Sequence, residues 1–225
     1  MIPRELISSA DVPGGVEPLR LIRRGAEFSI MLGANELMNS RLSGSEEALA
    51  TLAQARIATI AAPRVLIGGL GMGFTLRAAL AVFGTRAAIT VAELVPEIVD
   101  WARGPMAHLH AGTLDDPRVV ICIADVGALI GAANAGYDAI LLDVDNGPDG
   151  LSRTGNETLY SAAGLAQART ALRPGGVLAV WSSGPDARFT ARLRKAGFQA
   201  TEETVRARAT GSGARHTIWF AVRPG

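Results

Sequence analysis

The sequence predicts an α/β protein: a mostly parallel sheet with helices between its strands, an antiparallel last strand, and a short β-strand appendage at the N-terminus. Three observations predict it. Apolar β-type runs alternate with helical patterns from about residue 65 onwards. One of those runs, Val65-Leu66-Ile67, enters a glycine cluster that a helical pattern leaves. The chain closes on two β-prone runs, 198–208 and 214–222, where a fully parallel sheet would add further βα units.

Composition narrows the class. The 225 residues suit one α/β domain with a small addition, and 48% hydrophobic against 19% charged residues can bury a substantial core. A net charge of +1 gives no global electrostatic case for nucleic acid or an anionic membrane. The single cysteine, Cys122, excludes an internal disulfide and offers no metal cluster, and VVICIAD reads as a buried strand with a core thiol. The first residues lack the apolar core of a signal peptide, and no window of about 18 uncharged apolar residues exists, so a cytoplasmic protein is expected.

Taken in order, residues 1–15 read as a loose leader broken by Pro3, Pro13, Gly14 and Gly15. Residues 18–40 alternate in LRLIRR and are β-prone in EFSIML, which predicts two or three short strands in a hairpin-like appendage; residues 1–43 form one segment and 44–225 the main domain. Ser45 is the expected N-cap of a helix carried by Leu49, Leu52, Ala53 and Ile57, with Glu46 and Glu47 suiting its dipole. After the glycine cluster, Phe74, Leu76, Ala79 and Leu80 mark a helix. AITVAEL is a second strand, PEIVDWAR a helix, RVVICIAD a third strand and VGALIGAAN its helix. AILL is apolar on both faces, as a central parallel strand is. A helix over 156–172, the strand VLAVWSS, a helix over PDARFTARLRKAG and the closing antiparallel pair complete the chain.

The chemistry gathers at strand ends. Gly68, Gly69, Gly71 and Gly73 supply positive φ and close backbone approach. Their Gly69-x-Gly71-x-Gly73 spacing departs from a dinucleotide G-x-G-x-x-G, since Phe74 takes the last position, and points to S-adenosylmethionine (SAM) or a relative. Glu93, 20 residues after Gly73, ends the second strand, where a carboxylate accepts both ribose hydroxyls. Asp125 ends the third strand, facing an adenine amino group or capping the next helix. Asp143 and Asp145 end the fourth, where two carboxylates can bind a cation or take its proton. His108 and His110 sit in an expected loop with no third metal ligand beside them.

Four segments, VLIGGLGMGFTLR, VAELVPEIVDWAR, DPRVVICIAD and YDAILLDVDNGP followed by LRPGGVLAVW, resemble the spermidine synthase family of class I SAM-methyltransferase-like proteins. LMNSRLSGSEEALATLA resembles that family's segment ahead of the nucleotide fold. The resemblance implies a Rossmann-like SAM-methyltransferase fold with a seven-stranded sheet. It implies SAM or decarboxylated SAM as co-substrate, no metal, a small amine acceptor and a homodimer. By it, the glycine loop holds the sulfonium end, Glu93 the ribose and Asp125 the adenine, while Asp143 is the base on the attacking amine. The family's loop Asp aligns with Gly71, and its second acid falls near Asp145 or Asn146. The implied reaction is aminopropyl transfer. SAM-dependent methyl transfer to a small acceptor, and non-catalytic binding of SAM or methylthioadenosine, stay open.

Overall fold

A computed structural model describes residues 2–144, 147–148, 158–208 and 210–225. Seven strands form the main sheet in the order β10-β11-β9-β8-β5-β6-β7. They are β5 (Arg64–Gly68), β6 (Ala88–Glu93), β7 (Val119–Ile123), β8 (Tyr137–Leu142), β9 (Leu172–Ser182), β10 (Gln199–Arg206) and β11 (Arg215–Val222). All neighbours from β7 to β9 pair in parallel, whereas β11 runs antiparallel to both β9 and β10. This is the Rossmann-like SAM-methyltransferase fold expected from the sequence. The chain builds outward from β5 through β6 to β7, then returns to lay β8 on the other side of β5. The sheet therefore has its topological switch point between β5 and β8, where α/β sheets open a ligand crevice.

The period-2 pattern of β5 explains the two layers. Val65 and Ile67 face one core and Leu66 the other. The first layer takes Leu49 and Ala53 of α1 (Gly44–Arg56), Leu76 and Ala79 of α2 (Phe74–Val82) and Trp101 of α3 (Pro96–Arg103). The short α4 (Ala107–His110) follows. The second layer takes Ile130 of α5 (Val126–Ala132), Leu165 of α6 (Ala162–Ala171), and Phe189 and Leu193 of α7 (Ala187–Lys195). Trp219 of β11 is wholly buried there, edge-on to Phe189 at 5.0 Å between ring centres.

The N-terminal region differs from its reading as a leader plus hairpin. β1 (Glu5–Ala10), β2 (Leu19–Arg24), β3 (Glu27–Leu32) and β4 (Asn35–Asn39) form a four-stranded antiparallel sheet. The supposed leader thus contributes a strand. Pro3 and Pro13 lie outside β1 and interrupt no ladder. Leu21, Phe28 and Ile30 join the first core layer, so this sheet packs on the main domain.

Three local expectations also change. Ser43, not Ser45, is the N-cap of α1, and no side-chain capping bond forms; Ser45 is fully buried in the first turn. The helix expected from 156 is broken ahead of Ala162, where Ser161 caps a fresh helix; residues 156 and 157 lie outside the described residues. β7 is an edge strand rather than a buried one, with Val120 and Ile123 exposed and Cys122 half-buried. No helix among the described residues is long and apolar enough to cross a membrane.

Candidate active site

The switch point is built by close backbone approach. A Cβ on Gly69 would lie 2.5 Å from the carbonyl oxygen of Asp143, so only glycine lets the exits of β5 and β8 come together. Gly69, Gly71 and Gly73 all have positive φ, at 89°, 50° and 77°. Gly68 ends β5, where a Cβ would meet Val144 at 2.9 Å. Gly73 is the N-cap of α2, and the His110 ring rests against it: a Cβ there would meet Nδ1 at 2.3 Å. His110 is therefore a buried packing residue in the helix α4 and does not lie in the expected loop. Burial, reinforced by Arg77 and His108, holds its pKa down to about 4.

Glu93 is 5% exposed, and its carboxylate braces the glycine loop. Oε2 accepts the Leu70 N–H at 2.9 Å and Oε1 the Val95 N–H at 2.9 Å. Burial raises its pKa, while these amides oppose the rise. Asp125 lies beyond β7 and caps α5, accepting the Gly127 N–H at 2.7 Å. Glu93, Asp125, Gly69, Gly71 and Asp143 all line one cavity of about 140 Å³. Leu19, Ile30, Leu32, Leu37 and Met38 of the N-terminal sheet form its outer wall.

A second cavity of about 70 Å³ adjoins it and shares Leu37, Met38, Gly71, Asp143 and Val144 as walls. Trp181 and Glu46 complete it with Met72 and Phe74. Asp143 thus stands on the partition. Its Oδ2 accepts the Thr75 hydroxyl at 2.8 Å, and burial lifts its pKa to about 6. Glu46 is raised further, to about 7, by burial and by the Asp143 charge. Between pH 5 and 7 such an acid pair readily holds or releases a proton.

The structure therefore brings Gly69, Gly71, Glu93, Asp125 and Asp143 to the larger cavity and Gly71, Gly73 and Asp143 to the smaller, while Gly68 ends β5 and lines neither. Asp145 lies outside the described residues. Glu46 was read in the sequence only as a favourable helix-start acid. Its one hint was position, in the segment that joins the strands to the nucleotide fold. Thr75, Trp181 and Met38 carried no hint, because hydroxyl, indole and thioether side chains are common in cores. Among the described residues, no group of three or more His, Cys, Asp or Glu side chains could hold a metal ion.

A parallel sheet with a glycine loop at its switch point, acids at successive strand ends and an antiparallel final strand defines a class I SAM-methyltransferase-like protein. Comparison with known proteins narrows the class. The spermine/spermidine synthase domain matches residues 46–188, more than half of the chain, and the protein belongs to that family. A polyamine aminopropyltransferase of Mycobacterium tuberculosis is 36% identical over 148 residues, covering 61% of this chain and 27% of the relative. Putrescine N-methyltransferase 4 of Nicotiana tabacum is 37% identical over 116 residues, covering 51% of this chain and 28% of the relative. Spermidine synthase from Thermotoga maritima shares the fold, with a TM-score of 0.75 at 17% identity over 97% of this chain and 72% of that one. The chain thus spans little more than a quarter of the length of those two curated relatives.

Proposed function

We propose that the protein transfers an alkyl group from an adenosyl sulfonium donor to the nitrogen of a small amine, with aminopropyl transfer from decarboxylated SAM as the reaction. The observation that carries this is the position of Asp143 on the wall common to both cavities. A donor in the larger cavity and an amine in the smaller would meet beside it. The glycine loop, Glu93 and Asp125 belong to the donor side; Asp143, with Asp145 as a second acid, belongs to the amine side.

The chemistry suits such a carboxylate. An alkylammonium has no lone pair until it loses a proton. A half-buried carboxylate with a pKa near 6 holds the cation when ionised and takes its proton as attack begins. The C–N bond then forms while the C–S bond breaks, and the electron pair leaves with sulfur as a neutral thioether. Alignment of the two reactants supplies most of the remaining acceleration.

Methyl transfer from SAM is the second reading, favoured by one observation. Gly71 carries no acid, and Met38 fills the space where a side chain there would go, with Sδ 2.7 Å from an added Cβ. A neutral wall accepts a donor that keeps its carboxylate. The N-terminal segment (1–43) belongs to this reading as the wall that closes the site over residues 44–225. A homodimer through its exposed β1 edge, where Leu6 is uncovered, and a cytoplasmic setting are part of the same proposal.

The test is to incubate the full chain with putrescine and either donor and to separate the products by mass. Methylthioadenosine with an aminopropylated amine supports the first reading, and S-adenosylhomocysteine with a methylated amine the second. Donor binding without turnover across a panel of amines would make the protein a non-catalytic binder of adenosyl ligands.

A further inference from the structure

One hydrogen-bonded chain leaves the smaller cavity in a direction the proposed reaction does not explain. Glu46 lines that cavity, and the Ser45 hydroxyl lies 2.6 Å from its Oε2. The same Ser45 oxygen lies 2.9 Å from Nδ1 of His216, on β11 of the closing hairpin. Ser45 is fully buried, whereas the His216 ring is only half-buried. The contact spans 171 residues of sequence and is held from both ends. The Gly44 N–H donates to the Ala207 carbonyl at 2.9 Å, and Arg56 pairs with Glu203 and stacks on Phe220. The His216 ring also meets Trp181 edge-on, 4.9 Å between centres, and Trp181 is itself a wall of the cavity.

We propose that Glu46, Ser45 and His216 form a relay that carries the proton of the acceptor amine out of the closed cavity. It rests on the alkyl-transfer reading, and Ser45 and His216 are positioning residues that act through Glu46. The balance is simple. A protonated amine and a sulfonium become a substituted ammonium, a neutral thioether and one free proton, so each turnover must export one proton. Glu46 receives it directly or from Asp143. It passes the proton to the Ser45 oxygen while the Ser45 hydroxyl hydrogen moves to Nδ1 of His216. His216 releases the Nε2 proton to water and resets its tautomer by exchange with solvent. Burial lowers the His216 pKa, which leaves the ring neutral and able to accept. The charged groups bearing on Glu46 are Asp143 and the neighbouring Glu47, the latter held by Arg77 of α2; on the hairpin, Arg215 precedes His216.

The test uses the full chain with decarboxylated SAM or SAM and putrescine as probes. Ser45→Ala and His216→Ala should each lower kcat roughly 10- to 100-fold at pH 7 with amine KM and donor affinity within about twofold. The loss should shrink as pH rises, and added imidazole should restore turnover in His216→Ala only. Unchanged kcat in both variants, or a loss that neither pH nor imidazole relieves, overturns the relay while leaving alkyl transfer intact. If the unaltered chain turns over neither donor, the alkyl-transfer reading fails by itself. The hydrogen-bond chain is then read by nitrogen NMR of His216: a tautomer ratio that changes in Ser45→Ala supports it, and an unchanged ratio overturns it.

Discussion

The Thr75 hydroxyl donates to Oδ2 of Asp143 at 2.8 Å and ties the first turn of α2 to the exit of β8 across 68 residues of sequence. That bond fixes one carboxylate oxygen, and the proposed reaction assigns the base role to this carboxylate. Asp143→Asn should therefore abolish turnover, by roughly a hundredfold or more, with donor affinity within a few-fold. Thr75→Val should cost less in rate, since it frees the carboxylate without removing it. Steady-state kinetics beside calorimetric titration checks both, and a fully active Asp143→Asn would remove the residue from the base role.

Glu46 gives a pH signature. Its pKa is about 7 in the folded chain against 4.5 for the ordinary group, so the native state binds a proton that the unfolded state has lost. The stability linked to this group is present below about pH 4.5 and is lost as pH rises through about 7. Glu46→Gln should raise the melting temperature at pH 8 and change it little at pH 4.5. Thermal melts across pH would show it. In the unaltered chain, kcat/KM for the amine should climb through pH 6–7 as the pair ionises.

Glu93 braces the glycine loop, and the ribose contact proposed for the same carboxylate can be tested separately. Glu93→Gln places an amide NH2 against a backbone N–H from either Leu70 or Val95, a mismatch worth roughly 1–3 kcal/mol. Stability and donor affinity should both fall. A ribose contact adds a further mark: the unaltered protein should bind 2′-deoxy donor analogues more weakly, and Glu93→Ala should lose that discrimination. Equal preference in both would leave Glu93 as a loop brace alone.

Gly71→Asp asks which donor the loop prefers. Its φ of 50° costs any side chain some strain, which Asp tolerates better than most, and the flexible Met38 thioether must move aside. The added acid should weaken SAM binding by repelling its carboxylate and strengthen binding of decarboxylated SAM. Pairing it with Met38→Ala makes room and should enlarge the difference. Calorimetry with the two donors reads the outcome, and equal shifts would count against this placement of the loop.

His110 predicts an acid weakness. Its folded pKa of about 4 lies below the ordinary 6.5, so the neutral ring contributes stability that is present above about pH 6.5 and lost as pH falls towards 4. His110→Leu should flatten the acid side of the stability profile if the cavity against Gly73 accepts the new shape. Gly73→Ala should be strongly destabilising at every pH, because it combines a positive φ with a clash into the same ring.

The sequence by itself determined the main sheet and the donor side of the site. Val65–Ile67 and Ala139–Leu142 are apolar on both faces, which only a central parallel strand satisfies, and the glycines between strand and helix mark a backbone crossing. Glu93, Asp125 and Asp143 were legible because each stands at the end of such a run, and strand ends on one edge of a parallel sheet must converge. The rest of the smaller cavity's polar lining was decided by the tertiary structure alone. Glu46, Ser45 and His216 sit on a helix turn and a hairpin strand whose local patterns reveal only amphipathicity. Their meeting depends on how α1 lies across β11. β1 was hidden for a related reason: ELISSA has too few apolar residues to announce a strand, and it becomes one by pairing with β2. Local periodicity records which face of an element is buried; which distant elements share that burial is settled only when the layers pack.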